Sequence, residues 1–210
     1  MERIGRSNAL DILLSDDNPL RDSIDQTISE ALMNGDCVTP HHRARLLAES
    51  GDANAQVLLG ALFQDGRGTA TDYGEAVKWY RDASEQGHPV AQLLLANRYR
   101  DGEGVCKDLE QTRALYHKAA RQNYATAYYA LAAMCYFGSS SPNRVEAYKW
   151  AKLASTHLKT SGHKTLMVQM IEWLKKDMAS EEIAEADHLI NEWKAGGEEA
   201  MERKGSVCPR

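Results

Sequence analysis

Residues 51–86 read GDANAQVLLGALFQDGRGTATDYGEAVKWYRDASEQ, and residues 87–122 read GHPVAQLLLANRYRDGEGVCKDLEQTRALYHKAARQ, aligned with the first stretch without a gap. A third copy at residues 123–157, NYATAYYALAAMCYFGSSSPNRVEAYKWAKLASTH, is one residue shorter. Self-similarity at a period of about 36 residues is typical of stacked helical hairpins, because one hairpin is too small to bury its own apolar face. The repeat therefore predicts an all-α chain that presents a surface to another molecule.

The first helix of each hairpin, helix A, has an apolar side that includes Ala55, Leu59 and Leu62 at helical spacing. We predict that Asp52 caps this helix and that Pro89 lies in the first turn of the second copy, where its missing N–H costs nothing. Glycines that permit positive φ end the helix in a tight turn. These glycines are Gly66, Gly68, Gly102 and Gly104.

The second helix, helix B, opens in every copy with a short acceptor placed three residues before a side chain that can reach back to it. This spacing is the signature of a capping box. The three pairs are Asp72 with Glu75, Asp108 with Gln111, and Asn143 with Glu146. Alanines that recur later in helix B allow close helix packing, and Trp79 and Trp150 fill the space between layers.

Weaker helical patterns flank the repeats. A helix is predicted around Ile24, Ile28 and Leu32, followed by a second at residues 41–50. Downstream, a broadly apolar helix can pack on two sides, and a final one-sided helix begins at a cap, Ser180. The apolar residues of the first are Leu166, Met167, Met170, Ile171 and Leu174, and those of the second are Ile183, Ala186, Ile190 and Trp193.

These patterns predict the organisation of the whole chain. The repeat array spans residues 51–158, with units at 51–86, 87–122 and 123–157. An N-terminal helix pair, a degenerate capping repeat, precedes it at residues 19–50, and a C-terminal capping helix pair follows at residues 159–194. The remaining stretches lack sustained periodicity, so we expect disorder at residues 1–18 and 195–210.

Composition limits the class of protein. The chain has 210 residues, 43% of them hydrophobic, and a formal charge of −5, which gives no basic footprint for nucleic acid. No stretch is apolar enough for a signal peptide or a membrane span, so we expect a cytoplasmic protein. Four cysteines without regular spacing are interpreted as reduced thiols, although a bridge between Cys106 and Cys135 stays geometrically open.

The motif AxAQxxLGxxFxxGxG, an Asp at the next cap, and AxxWYxxAxxxG resemble the Sel-one-like repeat family, a relative of tetratricopeptide repeats. The matching residues of the first unit are Ala55, Gln56, Leu59, Gly60, Phe63, Gly66, Gly68, Asp72, Ala76, Trp79, Tyr80, Ala83 and Gly87. The match thins in the third copy, where Ala132 and Ala151 stand at the family's Gly and Tyr positions. The resemblance covers about residues 40–193. It implies an all-α, right-handed superhelical solenoid of antiparallel helix pairs that acts as an adaptor, scaffold or regulator in protein assemblies.

A partner of such a solenoid is expected on the concave face, which the A helices line. Opposite the apolar side of helix A, the candidate contact residues are Asn54, Val57, Ala61, Gln64, Val90, Leu93, Asn97, Arg100, Thr126, Tyr129, Ala133 and Tyr136. If this face is open, Val57, Leu93, Tyr129 and Tyr136 form an apolar track beside Arg100. In the alternative, Leu93 and Tyr129 pack against adjacent A helices.

The sequence contains no catalytic constellation that its spacing supports. Cys37, His41 and His42 form a C-x3-H-H cluster, but no second ligand pair follows at zinc-site spacing. The acids Glu75, Glu110 and Glu146 recur near the start of helix B, which favours a structural role. We expect no catalytic residue, cofactor or metal; His157 and His163 also lack a nearby carboxylate, and the Gly-x-Gly turns lack a preceding strand.

Three hypotheses follow. The leading one is a non-catalytic adaptor that binds a protein or peptide in the groove of its A helices, as a monomer or a weak dimer, without nucleic acid or membrane. The second is an inhibitor or immunity-type protein that occludes an enzyme, for which the acidic balance suits a basic target. The third is a metal-dependent enzyme built on Cys37, His41 and His42.

Overall fold

The computed structural model describes residues 9–13, 38–138, 143–159 and 161–196, and within these ranges every regular element is an α-helix. The helices are α1 (Ala9–Leu13), α2 (Val38–Glu49), α3 (Ala53–Asp65), α4 (Tyr73–Glu85), α5 (Pro89–Asp101), α6 (Leu109–Arg121), α7 (Ala125–Phe137), α8 (Arg144–His157), α9 (Ser161–Asp177) and α10 (Ser180–Lys194). The chain divides into a first unit, residues 1–124, and a second unit, residues 125–210. The prediction of an all-α chain of helical hairpins is confirmed.

In the first unit, α3 with α4 and α5 with α6 form the first two predicted hairpins, and α4 packs against α5. Helix α2 packs against α3 and supplies the helix expected at residues 41–50. The helix predicted around Ile24, Ile28 and Leu32 lies outside the described residues. The predicted starts of helix A are confirmed: the Asp52 carboxylate accepts a hydrogen bond from the Ala55 N–H at 2.7 Å, and Pro89 is the first residue of α5.

The caps of helix B confirm half of the predicted capping box and correct the other half. The side chains of Asp72, Asp108 and Asn143 accept hydrogen bonds from the N–H groups three residues later, as predicted. Their own N–H groups, however, donate to carbonyl oxygens of helix A in the same hairpin. These bonds join Asp72 to Phe63, Asp108 to Tyr99 and Asn143 to Cys135, at 2.9, 2.9 and 3.2 Å. The cap therefore fastens helix B to helix A as well as ending the helix.

A left-handed backbone recurs at the junction between hairpins. Gly51, Gly87 and Asn123 occupy equivalent repeat positions, with φ of +96°, +87° and +58°. Asparagine tolerates this conformation better than other residues with a side chain, which explains the third copy. In the turn inside the second hairpin, a Cβ on Gly104 would lie 2.2 Å from the carbonyl oxygen of Tyr73. Glycine is needed at this position because two backbones meet there.

The start of the chain departs from the prediction of disorder over residues 1–18. Residues Ala9–Leu13 form a helix whose Ala9, Leu10 and Leu13 side chains are buried, and this helix packs against α3. The carboxylate of Asp65, at the end of α3, accepts hydrogen bonds from the N–H groups of Ala9 and Leu10 at 3.4 and 3.1 Å. A distant acceptor satisfies these donors, so local periodicity did not reveal the helix.

In the second unit, α8 packs against α7, α9 and α10. The last two are the helices of the predicted C-terminal pair, and the apolar side of α9 that faces inward contains Met167, Ile171 and Leu174. The prediction of Ser180 as the cap of α10 is wrong by one residue. Ala179 is the N-cap, and its N–H donates to the Glu182 carboxylate at 2.8 Å, while Ser180 is already helical.

The structure corrects the interpretation of all four cysteines as reduced thiols. Cys106 is a free, exposed thiol, so it does not form the bridge to Cys135 that the sequence left open. Cys135 is 4% exposed and is disulfide-bonded. Cys37 and Cys208 lie outside the described residues, as do Ser139 to Pro142 of the shortened turn and residues 197–210 of the predicted tail.

Candidate functional site

The apolar members of the predicted binding track in the first unit belong to its core. Val57, Ala61 and Val90 are fully buried, and Leu93 is 2% exposed. The expectation of an open apolar track is therefore wrong at Val57 and Leu93. The physical reason is that helix A is covered on more than one side: every residue from Ala55 to Phe63 of α3 is buried. A helical wheel gives the direction of a side chain but not how many neighbours surround the helix.

The polar members of the predicted site in the first unit hold neighbouring helices together. Gln64 accepts a hydrogen bond from the Tyr80 hydroxyl at 3.1 Å. The Tyr116 hydroxyl donates to the Asn97 side-chain oxygen at 2.6 Å and accepts from Arg100 at 3.2 Å. Burial raises the pKa of Tyr116 to about 12, so this hydroxyl stays protonated and able to donate at neutral pH.

Asn54, the remaining polar candidate of the first unit, pairs with the residue that begins α5. The ring Nε2 of His88 lies 2.9 Å from the Asn54 side-chain oxygen, and its Nδ1 accepts a hydrogen bond from the Ala91 N–H. These two partners fix a neutral imidazole protonated on Nε2. Burial lowers the pKa of His88 to about 4.

A hydrogen-bonded pair of glutamines also recurs in the first unit, and the sequence patterns above did not predict it. Gln86 donates to the Gln56 side-chain oxygen at 2.8 Å, and Gln122 donates to that of Gln92 at 3.0 Å. The two glutamines of each pair are equally far apart along the sequence, because each pair links the end of one helix B to the helix A that precedes it. The recurrence of glutamine at both positions was the available signal, and its role is structural.

The second unit differs from the first at the positions that are buried there, because its α7 residues are partly exposed at all four candidate positions. These residues are Thr126, Tyr129, Ala133 and Tyr136. The Tyr129 ring lies against the ring of His163 on α9, with centroids 5.0 Å apart. The Tyr136 ring lies between those of Phe137 and Trp173, at 4.7 and 5.1 Å. Aromatic contacts thus link α7 and α9 at both ends of a row of side chains that runs from Tyr129 to Tyr136.

Exposed apolar side chains on α9 extend this row. Leu166 and Met170 lie between His163 and Trp173 on one side of α9, at spacings of three and four residues, and Leu166 and Trp173 are 51% and 50% exposed. Phe137 at the end of α7 is 61% exposed. The α7–α9 surface consists of Tyr129, Tyr136, Phe137, Leu166, Met170 and Trp173. The sequence indicated this surface only through the broadly apolar pattern of α9, which allows the helix to pack on two sides. In the structure, one of these sides is exposed.

The second unit also encloses a buried cation. The Lys149 ammonium, 1% exposed, lies 3.2 Å from the buried Glu146 carboxylate and 4.2 Å from the centroid of the Trp150 ring. Trp193 of α10 packs edge-on against Trp150 at 4.9 Å and donates from Nε1 to the Tyr128 hydroxyl. Burial lowers the pKa of Lys149, and Glu146 opposes this shift. The amine also lies 5.9 Å from the centroid of the Trp193 ring, so we interpret Lys149 as a structural residue where α10 packs on α8.

The other candidates for chemistry have structural surroundings. His41 is half-buried, and its ring packs against Phe63 at 5.1 Å, while His42 is exposed. Cys37, the third member of this cluster, lies outside the described residues. His157 contacts the Leu153 carbonyl oxygen at 2.8 Å. Among the described residues, no three His, Cys, Asp or Glu side chains come together as metal ligands.

The recurring acids likewise form ion pairs on their own helices. Glu75 pairs with Lys78, and Glu110 pairs with Arg113 at 3.6 Å. Glu146 is the buried partner of Lys149.

In the described part of the chain, no helix is both long and apolar enough to cross a membrane. Across the described residues, the geometry defines a class of protein, a helical repeat array that carries a partly open aromatic surface on α7 and α9.

Comparison with known proteins assigns the family. The model of the Sel1 repeat matches residues 53–88, 89–124 and 125–157, and the chain belongs to the Sel1 repeat family. These limits begin two residues after the repeat boundaries drawn from the sequence, at the first residue of each helix A. A search of curated proteins found no match.

Two solved structures share the fold. A Sel1 repeat protein from Oxalobacter formigenes is 26% identical, with a TM-score of 0.61 over 70% of this chain and 57% of that one. A protective antigen present in uropathogenic Escherichia coli strains, which displays an SLR fold, is 23% identical, with a TM-score of 0.63 over 86% of this chain and 43% of that one. The chain thus spans about half the length of each of these structures, and the second likeness concerns the fold alone.

Proposed function

We propose that this chain is a non-catalytic protein–protein interaction module that binds a protein or peptide on the partly exposed side of α7, the helix A of its third repeat, on what is the concave side in repeats of this class. The observation that carries the proposal is the α7–α9 surface. Contiguous exposed apolar side chains are uncommon on soluble proteins outside interaction sites, and Tyr and Trp are enriched where binding energy concentrates. An adaptor or scaffold role follows from such a surface.

The titratable groups support a binding role over catalysis. Burial shifts the pKa values of four described residues, Tyr80, Tyr116, His88 and Lys149, and each of these side chains is buried with a hydrogen-bond partner. A general acid or base must instead reach a substrate. These four buried groups lie in the packing between helices.

Affinity capture from source cells tests the proposed function. The wild-type protein, a Tyr136→Ala/Trp173→Ala variant and a Leu109→Ala variant would be used as baits after equal folding is confirmed by circular dichroism. Leu109 is 43% exposed on α6 and serves as a control for removing an exposed apolar side chain. We expect a stoichiometric protein partner with the wild type and the control, and its loss with the double variant.

Two results of the capture experiment would overturn the proposal. One is the absence of any stoichiometric partner, and the other is identical recovery of proteins by all three baits. If the partner is an enzyme and its activity falls in the complex, the capture identifies an inhibitor rather than an adaptor.

A further inference from the structure

Three consecutive residues at the end of α3 contact three different helices. The Phe63 ring packs against His41 of α2, and the Gln64 side chain accepts a hydrogen bond from Tyr80 of α4. The Asp65 carboxylate accepts the hydrogen bonds that α1 donates. Successive residues of an α-helix point about 100° apart, so α1 lies on a side of α3 that α2 and α4 do not cover.

That side of α3 is apolar apart from Asp65. Leu58, Ala61 and Leu62 precede Asp65 by seven, four and three residues, which places them on the same side of the helix. All three are buried, with 2% exposure or less. The buried side chains of α1 pack against this helix. If α1 were absent, α3 would present an apolar surface that ends in one carboxylate.

The Asp65 carboxylate binds the start of a helix and not a particular side chain. Its two oxygens accept from the N–H groups of Ala9 and Leu10, the first two residues of α1. The first N–H groups of an α-helix have no acceptor within the helix, and a negative charge beside them is favourable. Any segment that begins a helix at this point can make the same hydrogen bonds.

The sequence of α1 defines the side chains that fit the apolar surface. Ala9, Leu10 and Leu13 are buried, whereas Asp11 is exposed. A segment that takes the place of α1 therefore needs apolar side chains at i, i+1 and i+4, and it tolerates a charge at i+2.

Helix α1 is also suited to leave α3. Five residues are too few for a stable helix in water, so α1 depends on α3 for its structure. The sequence has 24 residues, 14–37, between α1 and α2, which is more than a short connection needs. Detachment of α1 therefore does not require α2 to move away from α3.

We propose that the side of α3 formed by Leu58, Ala61, Leu62 and Asp65 is a docking site for a short helical segment. Residues 9–13 of the chain occupy this site, and a partner segment with the same apolar pattern binds by displacing them. The N-terminal segment is thus an internal competitor that limits access to α3. The inference goes beyond the proposed function, which concerns α7 of the second unit.

A variant of the full chain that empties the site tests the proposal. Leu10→Asp/Leu13→Asp, the emptied variant, places two carboxylates where two leucines are buried beside Asp65, so α1 should detach. We expect cooperative urea unfolding and a helical circular dichroism spectrum close to that of the wild type. Loss of cooperative unfolding would show that α1 is an integral part of the core and would overturn the proposal.

The ligand in this test is a peptide of residues 7–15, SNALDILLS, with a C-terminal dye for fluorescence anisotropy. Tethering gives α1 an effective concentration of about 1 mM, so we expect the peptide to bind the emptied variant at least about tenfold more tightly than the wild type. The same peptide with Leu10→Ser and Leu13→Ser is the control and should bind neither. Equal affinity for both proteins, or no binding to the emptied variant at about 1 mM, would overturn the proposal.

Further substitutions in the emptied variant locate the peptide. Asp65→Ala is expected to weaken the peptide about fivefold or more, because the acceptor for its first N–H groups is lost. Glu85→Ala removes an exposed carboxylate from the last residue of α4, as Asp65 is the last residue of α3, and should leave binding unchanged. Trp173→Ala on the α7–α9 surface should also leave it unchanged. A loss at Trp173, or none at Asp65, would place the peptide elsewhere and overturn the proposal.

Sedimentation velocity of the wild-type chain tests whether residues 9–13 occupy the site of their own molecule. We expect no association that depends on Leu10 and Leu13. A dimer that Leu10→Asp/Leu13→Asp dissociates would show that a second copy fills the site and would overturn the proposal. The capture experiment with Tyr136 and Trp173 concerns another surface, so its failure and the failure of the peptide test are distinguishable.

Discussion

The two units differ at a repeat position that the first unit buries and the second leaves partly exposed. Leu93 of α5 and Tyr129 of α7 are equivalent in the repeat, yet Leu93 is 2% exposed in a closed core, whereas Tyr129 lies on a partly open aromatic surface. Their buried polar groups differ as well. The first unit joins helices through side-chain amides, tyrosine hydroxyls, an imidazole and the Arg100 guanidinium, and the second encloses a fully buried Lys149–Glu146 ion pair between tryptophans. A repeat template therefore sets helix packing without setting which positions remain available for binding.

The largest expected effect concerns the buried cation of the second unit. Replacing Lys149 by Met leaves the Glu146 carboxylate buried without its partner, so we expect a loss of about 3–5 kcal/mol in the free energy of unfolding. Urea unfolding monitored by tryptophan fluorescence measures it. The double variant Glu146→Gln/Lys149→Met should recover much of the loss, because the unpaired charge is gone. A loss under about 1 kcal/mol in the single variant would contradict this role for the pair.

The equivalent pair of positions tests the contrast between closed and open surfaces directly. Leu93→Ala should cost about 3 kcal/mol because it leaves a cavity in the first unit. Tyr129→Ala, and likewise Tyr136→Ala, should cost less than about 1 kcal/mol. Paired denaturation curves of the variants measure the difference. Similar losses at Leu93 and Tyr129 would mean that the second unit also uses this position as core.

We expect the free energy of unfolding to fall at acid pH because of His88, the buried imidazole of the first unit. The pKa of His88 falls from 6.5 to about 4 on folding, so the unfolded chain takes up a proton first as pH falls. The contribution of neutral His88 to the free energy of unfolding is complete above pH 6.5 and is lost as the pH falls towards 4. The total loss is about 3 kcal/mol. Urea unfolding between pH 7 and pH 4.5 measures this. His88→Asn keeps a capping acceptor and should remove the contribution of this residue; an unchanged pH dependence would contradict the pKa shift.

The smallest effect concerns thiol reactivity. Cys106 in the first unit should react with iodoacetamide in the native protein without loss of stability, whereas Cys135, buried and disulfide-bonded, should not. Peptide mass spectrometry distinguishes the two sites. Disulfides are typical of oxidising compartments, so alkylation inside source cells also tests the cytoplasmic location expected from the sequence. Rapid labelling of Cys135 there would contradict the disulfide and favour that location.

Much of the fold was predictable because its signals are local. The helix periodicity, the Asp52, Asp72 and Asp108 caps, and the left-handed turn glycines depend on residues within one turn of each other. The errors share a different cause. The N–H of Asp72 bonds to the distant Phe63 carbonyl oxygen, and the N-terminal helix depends on Asp65, more than fifty residues away. Neither partner can be recognised from local spacing.

The candidate site was predictable only in part. Tyr129 and Tyr136 are partly exposed, and their role in binding stays a prediction; Phe137 and Trp173 were not among the predicted residues, and Val57 and Leu93 proved to be core. Helix A is nearly uniformly apolar in α3 and α7, so its pattern does not distinguish a side that faces a neighbour from a side that faces solvent. That distinction depends on which helices pack nearby.

The sequence alone determined the hairpin: its period, its two helices, its caps and its family, because each depends on backbone geometry and interactions close along the chain. Only the tertiary structure decided which equivalent positions are buried, as at Leu93, and which are partly exposed, as at Tyr129. Burial is a property of neighbours in space, and identical local patterns receive different neighbours in the two units. The open surface, and with it the expected partner, arises from that difference.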